Sequence, residues 1–157
     1  TFTSTAALKT AVQAYNANPA AATAEYGLIA DWDVSAVTDM SYLFKDLKNF
    51  NADISSWDTS GVTNMAGMFH GSAAFNQPLS FDTSGVTNMG LMFYRASAFN
   101  QPLSFDTSSV TSMDWMFTVR SSQSPAPNLQ SIVDPSRAPC LHPPPSRLPA
   151  CTSPRTV

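Results

Sequence analysis

Apolar side chains recur along this chain at a long, fixed period. Trp32-Asp33-Val34-Ser35-Ala36-Val37-Thr38-Asp39-Met40 is followed by Trp57-Asp58-Thr59-Ser60-Gly61-Val62-Thr63-Asn64-Met65. Phe81-Asp82-Thr83-Ser84-Gly85-Val86-Thr87-Asn88-Met89 and Phe105-Asp106-Thr107-Ser108-Ser109-Val110-Thr111-Ser112-Met113 continue the series. The starting positions 32, 57, 81 and 105 differ by 25, 24 and 24. Phe44, Phe69, Phe93 and Phe117 keep the same spacing, as do Phe50, Phe75 and Phe99. A fixed period of this length marks a repeat array, in which each unit buries its apolar side only by stacking on its neighbours.

Two local patterns sit inside each repeat. Val62, Met65, Met68 and Phe69 follow i, i+3, i+6, i+7, one face of a short helical turn. Thr63 or Ser60 offers an N-cap just upstream. Leu79 and Phe81 follow i, i+2, which suits a short strand with both side chains directed inward. Asp82-Thr83-Ser84-Gly85 then reads as a turn. The predicted fold is therefore a repeat solenoid of leucine-rich-repeat-like coils, each a short strand plus a short helical turn, with handedness left open. Leu79 is expected on Leu103, and Phe81 between Trp57 and Phe105. Ile54-Ser55-Ser56-Trp57 carries one residue more than Leu79-Ser80-Phe81, so a bulge is expected there.

The pattern Met-Phe-x-x-(Ser/Ala)-x-x-Phe-Asn-Gln-Pro-Leu-Ser-(Trp/Phe)-Asp-Thr-Ser-x-Val-Thr-x-Met, over about residues 31–117, resembles the BspA-like leucine-rich-repeat surface proteins. The resemblance implies a leucine-rich-repeat-like solenoid, an extracellular or cell-surface setting, and adhesion or protein binding. The family brings no catalytic residues to transfer.

The flanks differ from the array. In residues 1–30, Ala6 to Tyr15 places Leu8, Ala11, Val12 and Tyr15 on one helical face, with Ser4 or Thr5 as a cap and Asn18-Pro19 as a stop. This single helix is expected to cover the open N-terminal end of the array. A targeting helix is the rival reading, disfavoured because Lys9 is its only basic residue. Residues 118–157 hold nine of the twelve prolines and both cysteines, Cys140 and Cys151. They read as a disordered Pro/Ser-rich tail, with polyproline recognition at Pro125-Ala126-Pro127 or Pro143-Pro144-Pro145 as the alternative.

Charge narrows the partners. Only 12% of residues are charged, and residues 31–117 hold nine Asp against Lys45, Lys48 and Arg95. That balance argues against nucleic acid, which needs clustered cations. No apolar run is long enough to span a bilayer, and no N-glycosylation sequon occurs.

Several columns carry possible chemistry. The carboxylates of Asp33, Asp58, Asp82 and Asp106 repeat once per unit, as calcium ligands do in some solenoids. One carboxylate per unit supplies too few oxygens, so each Asp is expected to bond its own turn. Asn51, Asn76 and Asn100 are expected to satisfy buried backbone, and Met65, Met89 and Met113 with Met68, Met92 and Met116 to fill the core rather than bind copper. The rows Thr63/Thr87/Thr111 and Thr59/Thr83/Thr107 raise ice binding, against which stand capping and turn bonding. His70 lacks partners at a useful spacing and reads as a surface residue.

No catalytic, metal or cofactor site is expected. The leading function is a non-catalytic surface interaction module binding an unknown protein or glycan; the alternative is a structural spacer in a longer surface protein. With Leu79 and Phe81 inward, Ser80 and Asp82 face outward, repeated by Ser104 and Asp106, with Gln77 and Gln101 at the edge. These six residues form the candidate binding face.

Overall fold

The computed structural model describes residues 1–117; the proline-rich segment read as a tail lies outside them. The N-terminal region forms two helices, not one. Helix α1 spans Thr5–Ala17 and is capped by Ser4, whose side chain accepts from the Ala7 N–H at 3.3 Å. Helix α2 spans Pro19–Tyr26. Asn18, read from sequence only as a stop, also starts α2: its side chain accepts from the Ala21 N–H at 3.1 Å, and Pro19 takes the first helical turn, where a missing N–H costs nothing.

Leu8, Ala11 and Val12 of α1 are buried, and Tyr15 meets Trp32 and Phe50 edge-on at 6.2 and 6.4 Å. The Thr5 hydroxyl donates to the Asp39 carbonyl at 2.6 Å, and the Phe2 N–H to the Asp33 carbonyl at 2.8 Å. The helices are thereby fastened to the first repeat.

The strand-plus-helix solenoid expected from the sequence does not form. Among the described residues the remaining regular element is a 3-10 turn at Ile29–Asp31, and no strand is present. Parallel contact between repeats is reduced to single bridges, Asp39 with Asn64, Asn64 with Asn88 and Asn88 with Ser112. The backbone hydrogen bonds explain why. The N–H groups of Met65, Gly67, Phe69 and Gly71 donate to the carbonyls of Asn88, Gly90, Met92 and Tyr94 in the next repeat, at 2.8–2.9 Å. The intervening Met68, His70 and Ser72 donate three residues back, to Met65, Gly67 and Phe69. Every second N–H is spent on the neighbouring repeat, so the i to i−4 ladder of an α-helix has no donors left. The same alternation runs through Met40, Tyr42, Phe44 and Asp46, and through Met89, Leu91 and Phe93.

A left-handed residue at every fourth position also stops a helix: Tyr42 and Asp46, Gly67 and Gly71, Leu91 and Arg95, then Trp115, with φ from 53° to 72°. The expected strand fails for another reason. Pro78 and Pro102 have no N–H to give to a ladder. The Asp82 and Asp106 carbonyls are satisfied by the hydroxyls of Thr59 and Thr83, at 3.0 Å each. The extra residue at Ile54–Trp57 is absorbed by a turn closed by the Trp57 N–H on the Ile54 carbonyl at 3.2 Å, not by a β-bulge.

Side-chain stacking follows the columns. Phe44, Phe69, Phe93 and Phe117 lie nearly parallel, 5.1, 5.4 and 5.3 Å apart. Phe50, Phe75 and Phe99 form a second stack at 6.0 and 5.9 Å. Within repeats the two columns interlock: Phe69 meets Phe75, and Phe93 meets Phe99, at 4.1 Å. Leu79, Leu103, Trp57, Phe81 and Phe105 are all buried, as expected, although among the described residues no ring pair joins Phe81 to Trp57 or Phe105. Val62 and Val86, Met65 and Met89, Phe69 and Phe93 are buried, whereas Val110, Met113 and Phe117 are only partly so.

Phe69→Ala removes a ring stacked on both sides and should cost about 3–5 kcal/mol in a denaturant titration, with Phe117→Ala costing clearly less. Amides of residues 105–117 should exchange with deuterium faster than those of 62–93, because Val110, Met113 and Phe117 are less buried than their counterparts and a less packed unit opens at lower free energy.

Candidate functional site

The sequence-derived face keeps its period-two alternation without being a strand. Leu79, Phe81 and Thr83 are buried while Ser80, Asp82 and Ser84 are exposed. Leu103, Phe105 and Thr107 are buried while Ser104, Asp106 and Ser108 are exposed. Ser80 and Ser104 therefore form one exposed row, and Asp82 and Asp106 another.

Gln77 and Gln101 behave differently. They are half-buried, and their amides donate to the backbone carbonyls of Asn51 and Asn76 at 3.1 Å. The Asn column does the same work: the N–H groups of Asn76 and Asn100 donate to the side-chain oxygens of Asn51 and Asn76 at 2.9 Å. These side chains join neighbouring repeats where backbone pairing is absent.

The aspartates close their own turns. Oδ1 of Asp82 accepts from the Ser84 N–H at 3.0 Å and from its hydroxyl at 2.7 Å. Asp58 binds Ser60 in the same way, and Asp33 binds Ser35. The Ser84 hydroxyl, then its N–H, holds the Asp82 carboxyl below its ordinary value. For Asp106 the Ser108 N–H is the larger cause. Asp33 is lowered to about 2, first by the Thr1 hydroxyl, 2.6 Å away, and then by Ser35. A second acidic-or-amide column, Asp39, Asn64 and Asn88, closes turns on Ser41, Ala66 and Gly90. Its uniform spacing was visible in the sequence but its task was not.

The threonine rows are committed as well. The Thr63, Thr87 and Thr111 hydroxyls donate to the carbonyls of Thr38, Thr63 and Thr87. Thr59, Thr83 and Thr107 are buried. His70, expected at the surface, is largely covered: its side chain is only 20% exposed and lies against Tyr94. Among the described residues no helix is long and apolar enough to cross a membrane.

The sequence profile of a family described as "Mycoplasma protein of unknown function, DUF285" matches residues 3–129. The chain belongs to the DUF285 family. The DUF285 match takes in both helices of the cap as well as the repeats, in keeping with the bonds that fasten Phe2 and Thr5 to the first repeat. No curated protein matches the chain, and no solved structure does.

The depressed aspartates give the acid response a sign. A carboxylate lowered in the folded state contributes stability that is complete above its unfolded value and is lost as pH falls through its folded value. For Asp33 that window runs from 3.8 down to about 2. Thermal melts across this range should show the parent losing stability more steeply than Asp33→Asn, which has no carboxylate there to protonate.

Proposed function

We propose that the chain is a non-catalytic interaction module of a BspA-like surface protein, working outside the cell or on its surface. It binds a protein or glycan partner through the exposed rows of Ser80, Asp82, Ser104 and Asp106. The observation that carries this reading is the alternation at 79–84 and 103–108: buried residues anchor the segment while the intervening polar ones stand in register, one repeat apart. Each carboxylate is held by its own turn, so little side-chain freedom is lost on binding. The acidic rows favour a basic protein surface or a polar glycan. Gln77 and Gln101, included in the site from sequence, serve as supports at its edge, because their amides already bind the preceding repeat. The bonding of so many polar side chains within the array favours a second reading, a spacer that sets distance in a longer surface protein.

The double substitution Asp82→Lys with Asp106→Lys reverses the rows at exposed positions. The circular dichroism spectrum should be unchanged while binding to cell surfaces or extracellular matrix falls. Retained binding would place the contact elsewhere, and a parent chain that binds neither would leave the spacer reading.

A further inference from the structure

Half a repeat along the chain from the aspartate rows, the array carries a surface of different composition. All three cations of residues 31–117 lie there, Lys45 and Lys48 in the first repeat and Arg95 in the third, with Asp46 among them. The other eight aspartates of the array fall outside these segments. Hydrogen bonds put the segments side by side: the Asp46 N–H donates to the His70 carbonyl, and the Gly71 N–H to the Tyr94 carbonyl, both at 2.8 Å. Three rings follow one another across the repeats. Tyr42 lies 6.4 Å from His70, and His70 stacks on Tyr94 at 5.0 Å. Lys45 sits 5.6 Å from the Tyr42 ring and Arg95 5.2 Å from the Tyr94 ring.

Several residues of this surface, like Leu91 and Trp115 elsewhere in the array, sit at left-handed positions. Tyr42, Asp46 and Arg95 all have positive φ, where a side chain costs roughly 1 kcal/mol or more. The repeat between them meets the same geometry with Gly67 and Gly71. Those glycines also clear the space: a Cβ at Gly67 would overlap the Tyr42 ring, and one at Gly71 the Asp46 carboxylate. The packing is left incomplete too. Nδ1 of His70 is buried without a hydrogen-bond partner, with Asp46 Oδ1 3.9 Å away. An arrangement serving stability alone would satisfy the imidazole.

We infer that Tyr42, His70 and Tyr94, flanked by Lys45 and Arg95, bind the end of a glycan that carries one carboxylated sugar. A small positive island on an acidic array suits a single anionic group on an otherwise neutral ligand, because a long polyanion would meet the surrounding aspartates. Arg95 offers paired donors to the carboxylate, and Lys45 a point charge. The ring edges and tyrosine hydroxyls meet the sugar's apolar faces and hydroxyls. This site is separate from the Ser80/Asp82 rows and does not depend on them.

The test is calorimetric titration of the full chain with sialyllactose, with a glucuronate-terminated disaccharide and with lactose. Binding of either carboxylated sugar but not of lactose is expected, and the two acidic probes show which carboxylated sugar is preferred. Arg95→Gln and Lys45→Gln should each weaken that binding about tenfold or more, the worth of one charged hydrogen bond. Arg95→Gly should weaken it equally while remaining folded, since Gly71 fills the same position one repeat earlier. Asp82→Lys with Asp106→Lys should leave this affinity intact, so that failure of the aspartate rows and failure of this site are read separately. A parent that binds neither acidic sugar, or binds lactose as well as them, would overturn the inference. Affinity unchanged in the Arg95 and Lys45 variants would overturn it also.

Discussion

The hydrogen bond from one repeat's N–H to the next repeat's carbonyl, made at every second residue, is the constraint on which the array rests. From Met65 to Ser72 every backbone N–H has an acceptor. Met65, Gly67, Phe69 and Gly71 give their N–H groups to the following repeat, while the carbonyls of Met65, Gly67 and Phe69 accept from turns within their own repeat. Asn64, Ala66, Met68 and His70 do the reverse, receiving from Met40, Tyr42, Phe44 and Asp46 with their carbonyls. No buried backbone group in this stretch needs a strand or a helix. The phenylalanine columns then fall into register because the backbone has already fixed the spacing between repeats.

Much of this was legible because a stack translates sequence period directly into spatial columns. The columns 44/69/93/117 and 50/75/99 needed only counting, and their rings do stack. The identity of the local structure was not legible. The spacing of Val62, Met65, Met68 and Phe69 fits a helical face, but a succession of three-residue turns places the same side chains on one side. Choosing between them depends on where the N–H groups go, and that is decided by the neighbouring repeat rather than by the residues themselves. The alternation at Leu79 and Phe81 likewise predicted burial correctly and a strand wrongly, since side-chain direction and ladder pairing are separate properties.

At the candidate face, the exposed positions Ser80, Asp82, Ser104 and Asp106 followed from period two alone. The glutamines did not, because their amides reach back to a carbonyl 25 or 26 residues earlier. At the cap, Asn18-Pro19 was read as an end, although an Asn followed by Pro is equally a beginning. The ring series of Tyr42, His70 and Tyr94 had a weaker signal. Its columns are the ones in which the repeats disagree with one another, and disagreement carries no periodicity to find.

The direction of the ladder sets a rule for self-association. An ordinary sheet edge alternates donors and acceptors and so accepts a copy of itself, which is the route to unwanted pairing. Along the turn segments of this array the N–H groups face the next repeat and the carbonyls the preceding one, whereas the flanking Thr63, Thr87 and Ala74 N–H groups donate the other way, to the carbonyls of Thr38, Thr63 and Lys48. Two copies brought together by the same turn segments would set donors against donors there, so head-to-tail contact is the better matched arrangement. The helical cap occupies the carbonyl side of the first repeat, with the Thr5 hydroxyl on the Asp39 carbonyl. By holding that side it stands in the way of such head-to-tail contact.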